Sequence, residues 1–284
     1  MDINGKRRQA GDADGRFIDV RAELLKYAGK MRVAASIIAD EDGVIAGTKY
    51  ARAEIERIGL NLLMIVNDGD SVKVGQEICR FAGTPEQILM AEETVIGQMA
   101  KPSGIATSAS RFVKATGGRP KVVSGAWKKM PFSLKESIRE AVKAGGAAPR
   151  IVSEPFAYLD KNYVEILGGI KSSVSAADRL QGFTKVIQVK GRYCDIVTEA
   201  CEAAKAGADV IFVDSGNLED VCLISEGLHK LGLRDRIKLA LGGGITMGSI
   251  EAIKATDVDI IDVGRQIIDA PILDMRLEII CMDK

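Results

Sequence analysis

From Lys121 onward the chain settles into short apolar runs separated by amphipathic helical stretches, and few folds accommodate that rhythm. The runs fall at 121–124, 150–153, 164–167, 185–189, 209–213, 237–241 and 259–263. The last four begin roughly 20–28 residues apart, the span of one strand and its crossover helix. Between two of them Ile196, Val197, Ala200, Cys201 and Ala204 share a helical face, and Gly207 ends that helix. Val210-Ile211-Phe212-Val213 is apolar without interruption, as expected of a parallel strand whose outer face is covered. Seven such strands in a row predict an incompletely closed β/α barrel rather than an open doubly wound sheet.

The first part of the chain reads differently. Residues 1–16 are polar and rich in Gly and Asp, a frayed terminus. Short strands are expected at 33–38 and 60–66, with turns at 67–70 and 74–75. Thr84 caps a helix with Pro85 at its first position and Gln87 three residues on. Apolar residues recur at helical spacing as far as Met99, and Pro102 is expected to kink or end the helix before a second segment runs to Thr116.

Composition removes several function classes. Thirty-nine basic and 39 acidic side chains cancel, so no nucleic-acid or acidic-membrane partner is expected. The five cysteines are scattered and His229 is the only histidine, which leaves no Cys/His zinc pattern. Reduced cysteines, no membrane-length apolar run and no signal peptide together imply a cytoplasmic protein.

In a barrel of this kind ligands meet the C-terminal strand ends. Gly242-Gly243-Gly244-Ile245-Thr246 follows one strand, and the helix near Ser249 is expected to offer free N–H groups and a positive dipole end. The next strand ends in Gly264-Arg265. Gly243, Gly244, Gly264 and Arg265 are therefore expected to cup a phosphate; otherwise the glycines only make tight turns. Asp214 ends another strand, where an acid holds ribose hydroxyls or a magnesium ion, or simply caps the next helix. Lys190 ends the strand before it, facing the same mouth or lying solvated outside. Trp127, followed by Lys128 and Lys129, either stacks a ring beside two cations or packs in the core. Arg150 and the pair Asp160-Lys161 are further candidates.

These residues belong to a longer pattern. Ile45-Ala46-Gly47, Gly59-Leu60, Asp68-Gly69 with Val72 and Gly75, and Gly83 lead to Ala91-Glu92-Glu93-Thr94 and Ser103-Gly104-Ile105-Ala106-Thr107. Gly243-Gly244-Ile245, the stretch 258–264, Ala270-Pro271, Leu273-Asp274 and Leu277 complete it. In order and spacing over residues 30–280, the chain resembles the quinolinate phosphoribosyltransferase (nicotinate-nucleotide pyrophosphorylase) family. The resemblance implies an α/β fold: an N-terminal α/β sandwich, drawn here as 17–116, and an incomplete seven-stranded β/α barrel over 117–284. The last residues either end the barrel or return to the first domain. It also implies a homodimer with a shared active site. The reaction implied is phosphoribosyl transfer from phosphoribosyl pyrophosphate to quinolinate, with magnesium, releasing pyrophosphate and carbon dioxide.

Carried over by position, Lys128 and Arg150 would neutralise phosphate or pyrophosphate, and Asp214 would support magnesium or ribose. Gly243, Gly244, Gly264 and Arg265 would hold the 5′-phosphate. The acceptor end departs from the family. A long-helix arginine, placed by the family at the partner's barrel mouth, falls on Glu93. The arginine of Asp-Thr-Arg-Lys-Thr-x-Pro falls on Trp127, and the histidine of His-Arg on Pro149. Lys-Asp-Asn-His reads Asp160-Lys161-Asn162-Tyr163, one of two acids for ribose and metal falls on Lys190, and the serine of Ser-Gly-Gly on Gly242. Glu93, Trp127, Lys161 and Lys190 are thus expected around the acceptor, a nitrogen heterocycle other than quinolinate. The alternatives are another phosphate-binding barrel activity (a sugar-phosphate lyase, isomerase or decarboxylase) and a non-catalytic phosphate-binding relative.

Overall fold

A computed structural model of the chain describes residues 20–28 and 31–283. The frayed start expected at 1–16 lies outside them. The chain first runs through α1 (Val20–Leu24), β1 (Arg32–Ala39), β2 (Gly43–Val44), α2 (Thr48–Ile58), β3 (Asn61–Ile65), β4 (Ser71–Val72), β5 (Glu77–Gly83), α3 (Pro85–Thr94) and α4 (Ile96–Thr116). It continues through β6 (Lys121–Val123), α5 (Lys135–Ala144), β7 (Phe156–Leu159), α6 (Lys161–Ile166), α7 (Ile170–Ala176), β8 (Thr184–Val189) and α8 (Ile196–Lys205). It ends with β9 (Val210–Val213), α9 (Leu218–Lys230), β10 (Lys238–Gly242), α10 (Ile250–Lys254), β11 (Ile260–Asp262), α11 (Arg265–Ile268) and β12 (Met275–Asp283). Two compact units result, Met1–Ser103 with Leu273–Lys284, and Gly104–Ile272.

The first unit is built on an antiparallel sheet in the order β12-β1-β5-β3. Val33, Ala35, Ile37 and Ala39 alternate along β1 and are all buried, the period of two that a strand with one covered face requires. They pack with Ile55 of α2, Phe81 of β5, Ile88 of α3 and Met99 of α4 in one apolar cluster. Thr84 and Gln87 make the expected reciprocal cap of α3, at 3.3 and 2.9 Å. Pro102, by contrast, does not end a helix: α4 runs through it, and the break comes earlier, at Val95. Pro102 has no N–H for the Gln98 carbonyl one turn back. That carbonyl instead lies against Gly47, where a Cβ would sit 2.2 Å from it, and the φ of +90° there also calls for glycine. Because α4 is continuous, the boundary between units falls inside it at 103/104 rather than at 116/117.

The second unit holds a parallel sheet in the order β6-β11-β10-β9-β8-β7, six strands where seven were expected. Residues 150–153 form no strand; the neighbouring chain contributes only a bridge between Val123 and Ala148. Residues 164–167 are not a strand either. Asp160 accepts hydrogen bonds from the Asn162 and Tyr163 N–H groups and starts α6, and the strand is the preceding Phe156–Leu159. The register pairs Val189 with Val213, Leu241 with Val213, and Gly242 with Asp262, which in turn faces Val123. Lys190, Asp214, Gly242, Asp262 and Gly125 therefore all lie at the carboxyl ends of their strands. Val186, Val210, Phe212, Ala240 and Ile260 fill the space beneath. Among the described residues, no helix is long and apolar enough to cross a membrane.

Candidate active site

A cavity of about 960 Å³ opens over these strand ends, at the upper end of the range for small-ligand sites. One wall is Gly242–Thr246. Gly243 and Gly244 have φ of +100° and +69°, and a Cβ on Gly216 would stand 2.4 Å from the Gly243 carbonyl, so three glycines are needed for the two loops to pass. Gly242 is required for another reason: a Cβ there would meet the Phe212 ring at 2.5 Å. Phe212 takes the room a serine side chain would need. After the neighbouring strand β11, Gly264 and Arg265 line the same cavity. Arg265 is 94% exposed and pairs with Asp269 at 3.4 Å. The helix expected near Ser249 is a 3-10 turn at Met247–Ser249 followed by the five-residue α10. The Thr246 N–H is already taken by Ser249 Oγ at 3.2 Å, so the cup rests on the glycine backbone more than on a helix dipole.

At the floor, Lys190 Nζ lies 2.6 Å from Asp214 Oδ2 and 3.2 Å from the Asp214 carbonyl oxygen. Gln188 Nε2 donates to the same Oδ2 at 2.6 Å. The loop carrying Lys190 is tied down from behind. Buried Glu199, at the start of α8, accepts the N–H groups of Lys190 at 3.0 Å, Gly191 at 2.8 Å, Arg192 at 2.6 Å and Tyr193 at 2.9 Å. Lys128 holds its ammonium 4.8 Å from the centre of the Tyr158 ring, which tilts against Phe212. Asp262 accepts the Gly125 N–H at 2.9 Å. Burial pushes its carboxyl above the usual range, with nearby Asp214 adding to the shift and Gly125, Lys128 and Lys129 opposing it. Burial likewise raises the Tyr158 phenol, helped by Asp262 and Asp214.

Of the residues singled out in the sequence, Lys128, Lys161, Lys190, Asp214, Gly243, Gly244, Gly264 and Arg265 line one cavity. Trp127 and Arg150 do not. The Trp127 indole N–H donates to the Pro149 carbonyl at 2.6 Å, and its ring is faced by Arg139 and Arg150. Arg150 also pairs with Glu154 at 3.0 Å. These two form a packed cation–aromatic group rather than a ligand surface. Glu93 belongs to the first unit, where it pairs with Arg21. Tyr158, Gln188, Asp262 and Glu199 were missed. A polar residue at a strand end signalled Asp262, but only the folded loop shows what Glu199 holds.

A magnesium ion does not fit these residues. It asks for near-octahedral oxygens at about 2.1 Å, one or two of them carboxylate. Asp214 Oδ2 already takes two donors, one an ammonium, and no group of three Asp, Glu, His or Cys able to hold a metal occurs among the described residues.

Two known domains cover the chain. The family described as quinolinate phosphoribosyl transferase, N-terminal domain, matches residues 19–103, and its C-terminal domain matches 105–278. The chain is 31% identical over 269 residues to a probable nicotinate-nucleotide pyrophosphorylase [carboxylating] of Methanothermobacter thermautotrophicus, covering 94% of this chain and 95% of that one. It is 26% identical over 261 residues to the human nicotinate-nucleotide pyrophosphorylase [carboxylating], covering 91% and 85%. The structure of the nicotinate-nucleotide pyrophosphorylase from Francisella tularensis superposes with a TM-score of 0.79 at 24% identity, covering 92% of this chain and 90% of that one. The Pyrococcus furiosus structure gives 0.79 at 20% identity, covering 98% and 79%. The structural likenesses speak to the fold, and the sequence matches to descent: the chain belongs to the quinolinate phosphoribosyltransferase family.

Proposed function

We propose that the chain transfers the phosphoribosyl group of phosphoribosyl pyrophosphate to a nitrogen heterocycle other than quinolinate. The bond from ribose C1 to the pyrophosphate oxygen breaks, pyrophosphate leaves with the electron pair, and the acceptor nitrogen closes on C1. Chemistry of this kind needs little beyond positioning and charge stabilisation. The observation that carries the reading is the mouth itself. Gly243, Gly244 and Gly264 line a single cavity with Lys128, Lys190 and Asp214. Lys128 and Lys190 would meet the pyrophosphate, Arg265 the 5′-phosphate, and Asp214 the ribose hydroxyls.

The acceptor follows from charge. A dicarboxylate taken from water needs converging cations. Arg150 is turned onto Trp127 and Glu154 and is absent from the cavity lining, and Lys128 and Lys190 are assigned to the pyrophosphate. The cavity's aromatic surface is Tyr158 and Phe212, with Asp262 beside them, which suits a flat, uncharged or cationic ring. A second reading, quinolinate itself, is favoured by the carboxylating relatives and by Lys128, Lys129 and Lys161 in the lining. A steady-state assay of pyrophosphate release against quinolinate and a panel of neutral heterocycles decides: quinolinate turnover at about 1 s⁻¹ or more would refute the first reading.

A homodimer, with Glu93 of one protomer at the barrel mouth of its partner, is part of the same proposal. Light scattering that finds a monomer at micromolar concentration would remove it.

A further inference from the structure

We propose that Lys190 takes the place of a divalent cation, so that the chain binds phosphoribosyl pyrophosphate with no metal on Asp214. The inference rests on the phosphoribosyltransferase reading for its ligand, and on geometry for the rest.

A metal ion in such a site neutralises pyrophosphate and is anchored through carboxylate oxygens. Each of the cavity's carboxylates already has one oxygen engaged by a donor of the chain itself. Asp214 takes the Lys190 ammonium at 2.6 Å and the Gln188 amide at 2.6 Å on one oxygen. Asp262 holds the Gly125 N–H, Asp160 caps α6, and Asp269 faces Arg265. A dication on Asp214 would have to share the carboxylate with the Lys190 ammonium, a like charge 2.6 Å from it, which opposes its binding.

Lys190 is also no loose surface lysine. Four consecutive backbone N–H groups, from Lys190 to Tyr193, converge on the carboxylate of Glu199, which is 1% exposed. The ammonium is held from the front by Asp214 and the backbone from behind by Glu199. A fixed positive charge therefore stands in the cavity, needing no ligand exchange to act on an anion. Lys128, Lys129 and Lys161 line the same cavity, so the chain itself brings further ammonium groups to the ligand.

The test is calorimetric titration of phosphoribosyl pyrophosphate into the whole protein, once with EDTA and once with magnesium. Wild-type affinity is expected to agree within about threefold between the two. Lys190→Met is expected to lose at least about tenfold in EDTA, and Lys190→Arg to retain binding. Lys190→Glu is expected to bind only when magnesium is added. Wild-type binding that appears only with magnesium would overturn the proposal, as would Lys190→Met binding normally in EDTA while folded by circular dichroism. If phosphoribosyl pyrophosphate binds under neither condition, the phosphoribosyltransferase reading fails by itself, and manganese titration then decides. Saturable manganese binding that Asp214→Asn abolishes would overturn the metal replacement, and none would sustain it.

Discussion

The ammonium of Lys190 stands 2.6 Å from the carboxylate of Asp214, each about one-quarter exposed, at the ends of two neighbouring parallel strands. Solvent reaches both groups, so the pair is only partly desolvated and each charge keeps some hydration of its own. Asp214→Asn is expected to lower kcat/KM by about 100-fold or more through loss of oriented charge at the ribose. Stability should change by no more than about 1 kcal/mol, since the pair is reached by solvent. A variant with full activity would show that Asp214 only anchors Lys190.

Glu199 gives a different expectation. A carboxylate that accepts four N–H groups fixes the Lys190–Tyr193 loop, and glutamine offers one acceptor oxygen and an unwanted donor. Glu199→Gln should destabilise the protein by about 1.5–3 kcal/mol. Amide hydrogen exchange at 190–193 should accelerate well beyond the rest of the sheet. Unchanged protection there would mean that the loop is held by other contacts.

The proposed phosphate site can be tested at Arg265 and at Gly244. Arg265 is almost wholly exposed, so Arg265→Ala is expected to weaken inorganic phosphate by only about 1 kcal/mol, roughly fivefold. Gly244→Ala forces a side chain into φ +69° and should weaken phosphate more than the charge removal does. Equal affinity in both variants, measured by calorimetry, would place the anion elsewhere.

Much of this architecture could be read from apolar periodicity. The strands β8 to β11 sit within a residue or two of their apolar runs because those apolar residues are buried in succession, throughout along β9. The run at 164–167 misled because four apolar residues fit a strand or a buried helix equally, and the decision belongs to the Asp160 cap. The glycine cup was legible, since close approach leaves few other residues possible. The partners were not. Lys190 meets Asp214 across 24 positions of sequence, and Trp127 is claimed by Arg139 and Arg150 through packing that no local pattern encodes.

Asp262 carries the last expectation, a dependence on pH. It ends β11 half-buried, its Oδ1 receiving the Gly125 N–H at 2.9 Å, and burial raises its pKa above that of an unfolded aspartate, about 3.9. For an acid raised in this way, the folded state keeps a proton that the unfolded state has already lost. Stability contributed by the group is therefore full below about pH 4 and declines as pH rises through the folded value, after which it is level. At neutral pH the charged carboxylate thus costs stability. Asp262→Asn removes the ionisation and keeps an oxygen for Gly125. The variant should be more stable than wild type at pH 7, with the gap closing as pH is lowered toward about 4. Denaturant melts at intervals across that range provide the measurement, and a gap independent of pH would show that Asp262 does not titrate as its burial implies.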